Sequence, residues 1–147
     1  MIYFVDEDYR KLRALVSELK FNDYEAKIIR DADTAFVELS EVTPEAVDIV
    51  LIDVMLAAKA DEKNSKYPRD KTDDYHKTGI LLLDDLVHVN PTVFPKKSAY
   101  LTHASNNELI SLITVSAKKH DIKMLRKKDY DTAYDFGKNI VRIIGEL

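Results

Sequence analysis

Residues 50–56 read VLIDVML, an apolar run that carries one carboxylate, Asp53. An ionised carboxylate taken into a low-dielectric core without a partner is strongly disfavoured. The arrangement that avoids this penalty is a strand whose body is buried and whose carboxyl end opens into a polar crevice. The reading predicts strand three over Asp48–Ile52, entered through the turn at Pro44 and Glu45, with Asp53 at its mouth.

The same pattern recurs on both sides of this stretch. Ile2-Tyr3-Phe4-Val5 is a first short apolar run, and Leu12, Leu15, Val16 and Leu19 follow it at helical spacing. Ala26–Ile29 is a second strand, with Ala35, Phe36 and Leu39 marking a second helix. A third helix begins near Gly79 and buries Ile80, Leu82, Leu83, Leu86 and Val87. Pro91 and Pro95 punctuate a loop before a fourth strand, Ser98–Leu101. Asn106 or Asn107 caps a fourth helix carrying Leu109, Ile110, Leu112, Ile113 and Val115. Ile122–Leu125 is strand five, and Ala133, Phe136, Ile140, Val141 and Ile144 line the last helix. Gly137 falls inside that helix at a cost of about 1 kcal/mol relative to alanine. Short strands alternating with helices predict a parallel sheet with crossover helices in one domain, 1–147.

Composition narrows the class. With 46% hydrophobic and 33% charged residues in 147, the chain suits a soluble globular domain. No apolar run reaches the roughly 18 residues of a membrane span. The amino terminus, MIYFVDEDYR, turns acidic too early for a signal peptide, so a cytoplasmic location is expected. Zero cysteines exclude disulfides and thiolate metal sites. A formal net charge of -4 argues against a general grip on nucleic acid.

Ligands of open α/β sheets bind outside the carboxyl ends of the strands. The residues there are Asp6 and Glu7 after strand one, Asp53 after strand three, Thr102 after strand four and Lys127 after strand five. Taken singly, each has an ordinary reading: Asp6 or Asp8 as a helix cap, Thr102 as a strand end, Lys127 as a solvated turn. As an ordered set, in the stretches YFVDED, VDIVLIDVML, AYLTHAS and MLRKKDY, they resemble the receiver domains of two-component response regulators, the CheY-like family. The resemblance covers nearly the whole chain. It implies a flavodoxin-like (βα)5 three-layer sandwich with a parallel five-stranded sheet of order 2-1-3-4-5.

It also implies roles. Asp53 matches the phosphoacceptor aspartate. Asp6 and Glu7 match the acidic pair that, with Asp53 and the backbone carbonyl of Met55, holds Mg²⁺ or Mn²⁺. Thr102 matches the hydroxyl that moves toward the phosphoryl group, and Lys127 the lysine that pairs with it. Hard oxygen ligands and a lysine suit attack by one anion on another. Expected partners are a sensor histidine kinase or phosphotransfer protein and an output protein, with a homodimer through helix four, strand five and helix five as one form of assembly. The residues end within the last predicted helix, so output is expected from a partner or from a further domain. A phosphoacceptor signalling domain of this kind is not an enzyme acting on external substrates. An aspartyl phosphatase would commonly carry a second aspartate where Met55 stands.

Several positions depart from the family pattern. His103 stands where a small residue is usual, as a crowding group, a polar gate or a solvent-facing histidine. Met124 replaces a common aromatic residue. Met55 and Ala104 provide no polar group to orient water, which predicts a persistent phosphoaspartate. Residues 57–78, AAKADEKNSKYPRDKTDDYHKT, form an insertion where loops of about 2 to 6 residues are usual. Two readings are open for it: a mobile surface loop, or a lid or partner-recognition element anchored by Tyr67, Pro68 and Tyr75. These departures support an alternative function, a pseudo-receiver interaction module not controlled by phosphorylation.

Overall fold

Alternation within the short apolar runs sorts their side chains onto the two faces of one sheet. The computed structural model describes residues 1–56, 62–129 and 132–147. Its strands are β1 (Ile2–Val5), β2 (Ala26–Ile29), β3 (Ile49–Asp53), β4 (Ser98–Thr102) and β5 (Lys123–Arg126). All neighbouring pairs are parallel, in the order β2-β1-β3-β4-β5. The helices are α1 (Tyr9–Phe21), α2 (Ala32–Glu41), α3 (Thr78–Val89), a one-turn α4 (Val93–Lys96), α5 (Asn107–His120) and α6 (Ala133–Glu146).

One face of the sheet presents Ile2, Phe4, Ile49, Leu51 and Leu101 to Leu12, Leu15 and Leu19 of α1 and to Phe136, Ile140 and Ile143 of α6. The other presents Tyr3, Val5, Val50, Ile52 and Tyr100 to α2, α3 and α5. This is the expected three-layer sandwich. Gly137 lets α6 approach α1, since a Cβ there would lie 2.9 Å from Glu18 Cγ. No described helix is long and apolar enough to cross a membrane.

Strands three and five lie one residue later than the apolar runs suggest, because pairing with β4 extends each to its polar end residue, Asp53 and Arg126. The segment between Pro91 and Pro95 is not all loop. Asn90 Oδ1 accepts from the N–H groups of Thr92 and Val93 at 3.2 and 3.0 Å, and buried Phe94 anchors α4. Pro95 is tolerated because the first turn of a helix leaves its N–H groups unpaired in any case. Asn106 is the cap of α5, accepting from Glu108 and Leu109 N–H at 2.8 and 3.2 Å. Neither Asp6 nor Asp8 caps α1 in this way: Asp8 occupies the cap position without a side-chain bond, and its own N–H donates to Asp6 Oδ1 at 2.9 Å.

The first part of the segment expected to be an insertion, 57–61, lies outside the described residues. From Ser65 onward it is docked onto α2 and α3 rather than loose. Ser65 Oγ and the Lys66 N–H donate to Asp33 at 2.5 and 2.6 Å. Tyr67 is fully buried, and its hydroxyl donates to Asp85 Oδ2 at 2.7 Å. Buried Thr72 donates to the Pro68 carbonyl at 3.0 Å and accepts from Tyr75 N–H at 3.0 Å. That turn contains three left-handed residues, Asp73, Asp74 and Tyr75, at φ 53, 53 and 66°. Of the three anchors expected, Tyr67 is the one that enters the core, while Tyr75 lies beneath the Arg69 guanidinium at 5.5 Å.

Tyr67→Phe keeps the ring and removes only the bond to a charged acceptor, so a loss of about 1–2 kcal/mol is expected. Urea unfolding checks it: the midpoint should fall with an unchanged slope. An unchanged midpoint would mean that the phenol does not hold the insertion down.

Candidate functional site at the carboxyl end of the sheet

Parallel register brings the strand ends to one level. Val5 pairs with Ile52, so Asp6 and Asp53 each extend one residue beyond that pair. Asp53 lies opposite Leu101, placing Thr102 one step further along, and Lys127 directly follows β5. Four segments distant in sequence thus meet at one rim.

Lys127 is the hub. Its ammonium hydrogen-bonds Asp6 Oδ2 and lies 3.5 Å from Asp53 Oδ2. Asp6 is completely buried, and both of its oxygens are engaged, by Lys127 and by the Asp8 N–H. Asp53 is half-buried, and its Oδ1 accepts from Met55 N–H at 3.2 Å. Burial pushes the Asp53 carboxyl up to about 7; Lys127 opposes this, Asp6 adds to it, and the Met55 N–H favours the ionised form. A single ammonium shared by two acids does not compensate for the desolvation of the second.

Thr102 is buried, and its hydroxyl accepts from Ala104 N–H at 2.9 Å, inside its own loop. Glu7 is exposed, and among the described residues no three Asp, Glu or His side chains stand together in a metal-holding arrangement. The structure therefore gathers Asp6, Asp53 and Lys127, sets Thr102 beside them and leaves Glu7 out. An oxygen-donor pair of this kind still fits a small hard cation, since Mg²⁺ is commonly held by one or two carboxylates, with water and phosphate completing its shell.

His103 lies at the rim of two hollows. One, of about 270 Å³, contains Asp6, Lys127 and Thr132 over an apolar floor from α1 and α6. The other, of about 480 Å³, lies between Met55, residues Asp73–Lys77 of the insertion and the start of α5. Partial desolvation and then the ammonium groups of Lys127 and Lys11 lower the His103 pKa, which favours the neutral form of the imidazole at this rim. Exposed on the surface, it is not wedged into the acidic cluster.

Two contributors escaped the sequence reading. Gly79 seats α3 against the end of β3: its N–H donates to the Val54 carbonyl at 2.9 Å, and a Cβ would lie 2.3 Å from the Asp53 carbonyl oxygen. A glycine opening an apolar helix was visible in the sequence, but nothing there showed what it touches. Arg126, the residue before Lys127, reaches the Ala104 carbonyl. Its only sequence signal was a charge at the end of an apolar strand.

No family model and no curated protein matches the sequence. Solved structures do match. The chain is similar to a CheY-like response regulator receiver domain protein from Methanospirillum hungatei JF-1, with a TM-score of 0.67 and 18% identity over 99% of this chain and 93% of that one. A response regulator receiver domain protein from Clostridium thermocellum gives a TM-score of 0.66 and 16% identity, covering 99% and 94%. The signal receiver domain of a histidine kinase from Syntrophus aciditrophicus gives 0.66 and 16%, covering 99% and 90%. Sheet order, layering and these matches agree: the chain has the fold of the CheY-like response-regulator receiver domains.

Proposed function

We propose that the chain is a phosphorylation-controlled signalling receiver whose phosphoacceptor is Asp53. The observation that carries this reading is the Lys127 ammonium placed against both Asp6 and Asp53 at the ends of three strands. Attack by a carboxylate oxygen on phosphorus forms the acyl phosphate and breaks the bond from phosphorus to the donor, an imidazole nitrogen of a kinase or phosphotransfer protein. Lys127 provides positive charge on the entering side, and Asp53 is delivered in a fixed orientation by β3 and its bond from Met55. A Mg²⁺ or Mn²⁺ ion held by Asp6, Asp53 and the Met55 carbonyl would neutralise charge on the transferring oxygens. Glu7, on the turn after Asp6, is the remaining acid expected near the ion. Thr102 carries the hydroxyl that would turn toward the new phosphoryl group and leave its bond from Ala104.

The switched surface is the one formed by α5, β5 and α6. Exposed Leu112 and Val115 on α5 and Tyr134 on α6 offer apolar area to an output partner or a second copy. The second reading, a pseudo-receiver, is favoured by the exposed position of Glu7 and the bond of Lys127 to Asp6. Both leave a self-contained cluster that needs no phosphoryl group.

Intact-mass spectrometry after incubation with acetyl phosphate separates the two readings. A single phosphoryl adduct that requires Mg²⁺ and vanishes in Asp53→Asn is expected. Because Met55 and Ala104 offer no polar side chain to orient an attacking water, that adduct should survive removal of the donor. No adduct in folded protein, together with no Mg²⁺ binding, would establish the pseudo-receiver instead.

A further inference from the structure

Arg126 ends β5 in register with Thr102 of β4. Between them the backbone of Ala104 is held on both sides of its Cα. Its N–H donates to Thr102 Oγ1 at 2.9 Å, and its carbonyl accepts from Arg126 Nη2 at 3.5 Å. The first bond has ordinary length; the second is long for N–H···O. Arg126 Nε is buried and has no hydrogen-bond partner among the described residues. Guanidinium N–H groups are strong donors set in a rigid fork, and a buried one without an acceptor calls for an explanation.

The two holds on Ala104 are unequal and connected. If the Thr102 hydroxyl turns to a phosphoryl group on Asp53, the Ala104 N–H loses its acceptor while Arg126 keeps its reach to the carbonyl of the same residue. The β4–α5 loop is then free to pivot about its weaker tether, with an unused donor beside it. We propose that Arg126 is the positioning residue that reads the phosphorylation state of Asp53: its Nε–H takes up an acceptor from the β4–α5 loop once Thr102 releases Ala104, and so fixes the start of α5 in a second arrangement. This inference rests on the phosphoacceptor reading of Asp53. It assigns to a polar side chain the link between the pocket and the α5 surface, beside Met124, which has no hydrogen-bond donor to make such a link.

The test uses the full chain labelled with ¹⁵N, with Mg²⁺ and beryllofluoride as the phosphoryl mimic and Asp53→Asn as control. The Arg126 Nε–H resonance is assigned by its loss in Arg126→Lys. On adding the mimic, that resonance should shift and its exchange with water should slow by about fivefold, the factor for a hydrogen bond of ordinary net strength. The amide shifts over Ser105–Leu112 should shrink to less than half in Arg126→Met, which keeps an apolar stem, and recover in part in Arg126→Lys. Both variants should still take up the mimic at Asp53. Unchanged Ser105–Leu112 shifts in Arg126→Met, or an Nε–H that does not respond while Asp53 and Met55 do, would overturn the role of Arg126 and leave the phosphoacceptor intact. No response even at Asp53 and Met55 would remove the phosphoacceptor reading, and this inference with it.

Discussion

Gly79→Ala is expected to destabilise the fold by roughly 3 kcal/mol or more, lowering Tm by on the order of 10 °C. The cause is space. None of the described glycines has a positive φ, so alanine could adopt the backbone of Gly79 without strain. Its methyl group, however, would lie 2.3 Å from the Asp53 carbonyl oxygen and 2.7 Å from Val54 Cα. These are backbone atoms at the end of a central strand, and they cannot rotate aside as a flexible side chain would. Either α3 lifts away from the sheet, giving up contacts of buried Leu82, Leu83 and Leu86, or the end of β3 moves and takes Asp53 with it. The same substitution should therefore slow acetyl phosphate labelling of whatever protein remains folded. Thermal melts followed by circular dichroism provide the check. A Tm within about 2 °C of the parent would show that the helix yields cheaply and that Gly79 does not set the position of Asp53.

Asp53→Asn, used above as a control for phosphorylation, has a second expected effect of comparable size. In the folded chain the carboxyl titrates near 7, against an ordinary value of 3.8. The folded state therefore binds its proton more tightly than the unfolded state, and stability falls as pH rises through the window between those two values. Below that window both states are protonated and nothing is lost. Above it the full penalty of an ionised, desolvated carboxylate is present, on the order of a few kcal/mol. Asparagine removes the charge but keeps the shape and an oxygen for the Met55 N–H. The variant should melt several degrees above the parent at pH 8 and together with it at pH 4. Mg²⁺ should raise the parent's Tm at pH 8 and do little for the variant. Equal melting temperatures across the whole range would mean that Lys127 fully compensates Asp53, and that the site is not held at a cost to stability.

Both expectations trace to one arrangement. A carboxylate is held at the edge of the core by elements that would be more stable without it, and Lys127 satisfies Asp6 before it satisfies Asp53. Conflict between local stability and local chemistry is usual where a group is kept ready to react. The insertion contributes from outside. Asp73 and Asp74 of its left-handed turn, with His76 and Lys77, line the larger of the two hollows at His103, beside Met55, and Tyr67 ties the segment to α3.

Sequence alone determined the layers of this protein. Apolar runs of four or five residues set the strands, helical spacing set the faces of α1 and α6, and Asn106 marked a helix start, because these signals act over a few residues and survive without tertiary context; on α5 the same spacing included Leu112 and Val115, which the fold leaves exposed. The strand-end rule then gathered Asp6, Glu7, Asp53, Thr102 and Lys127 into one candidate site before any distance was known. Tertiary structure decided what depends on atoms far apart in the chain. It showed that Lys127 sits on Asp6 more closely than on Asp53, that Glu7 stays outside, and that Tyr67 turns a charged, polar insertion into a docked one. It also showed that Gly79 is needed by the carbonyl of a residue in another element, and that Arg126 reaches across to the loop after β4. Pattern carries periodicity and residue type. Which charge finds which partner, and which methyl group has no room, is settled only when the sheet register and helix packing bring those atoms to within a few ångströms.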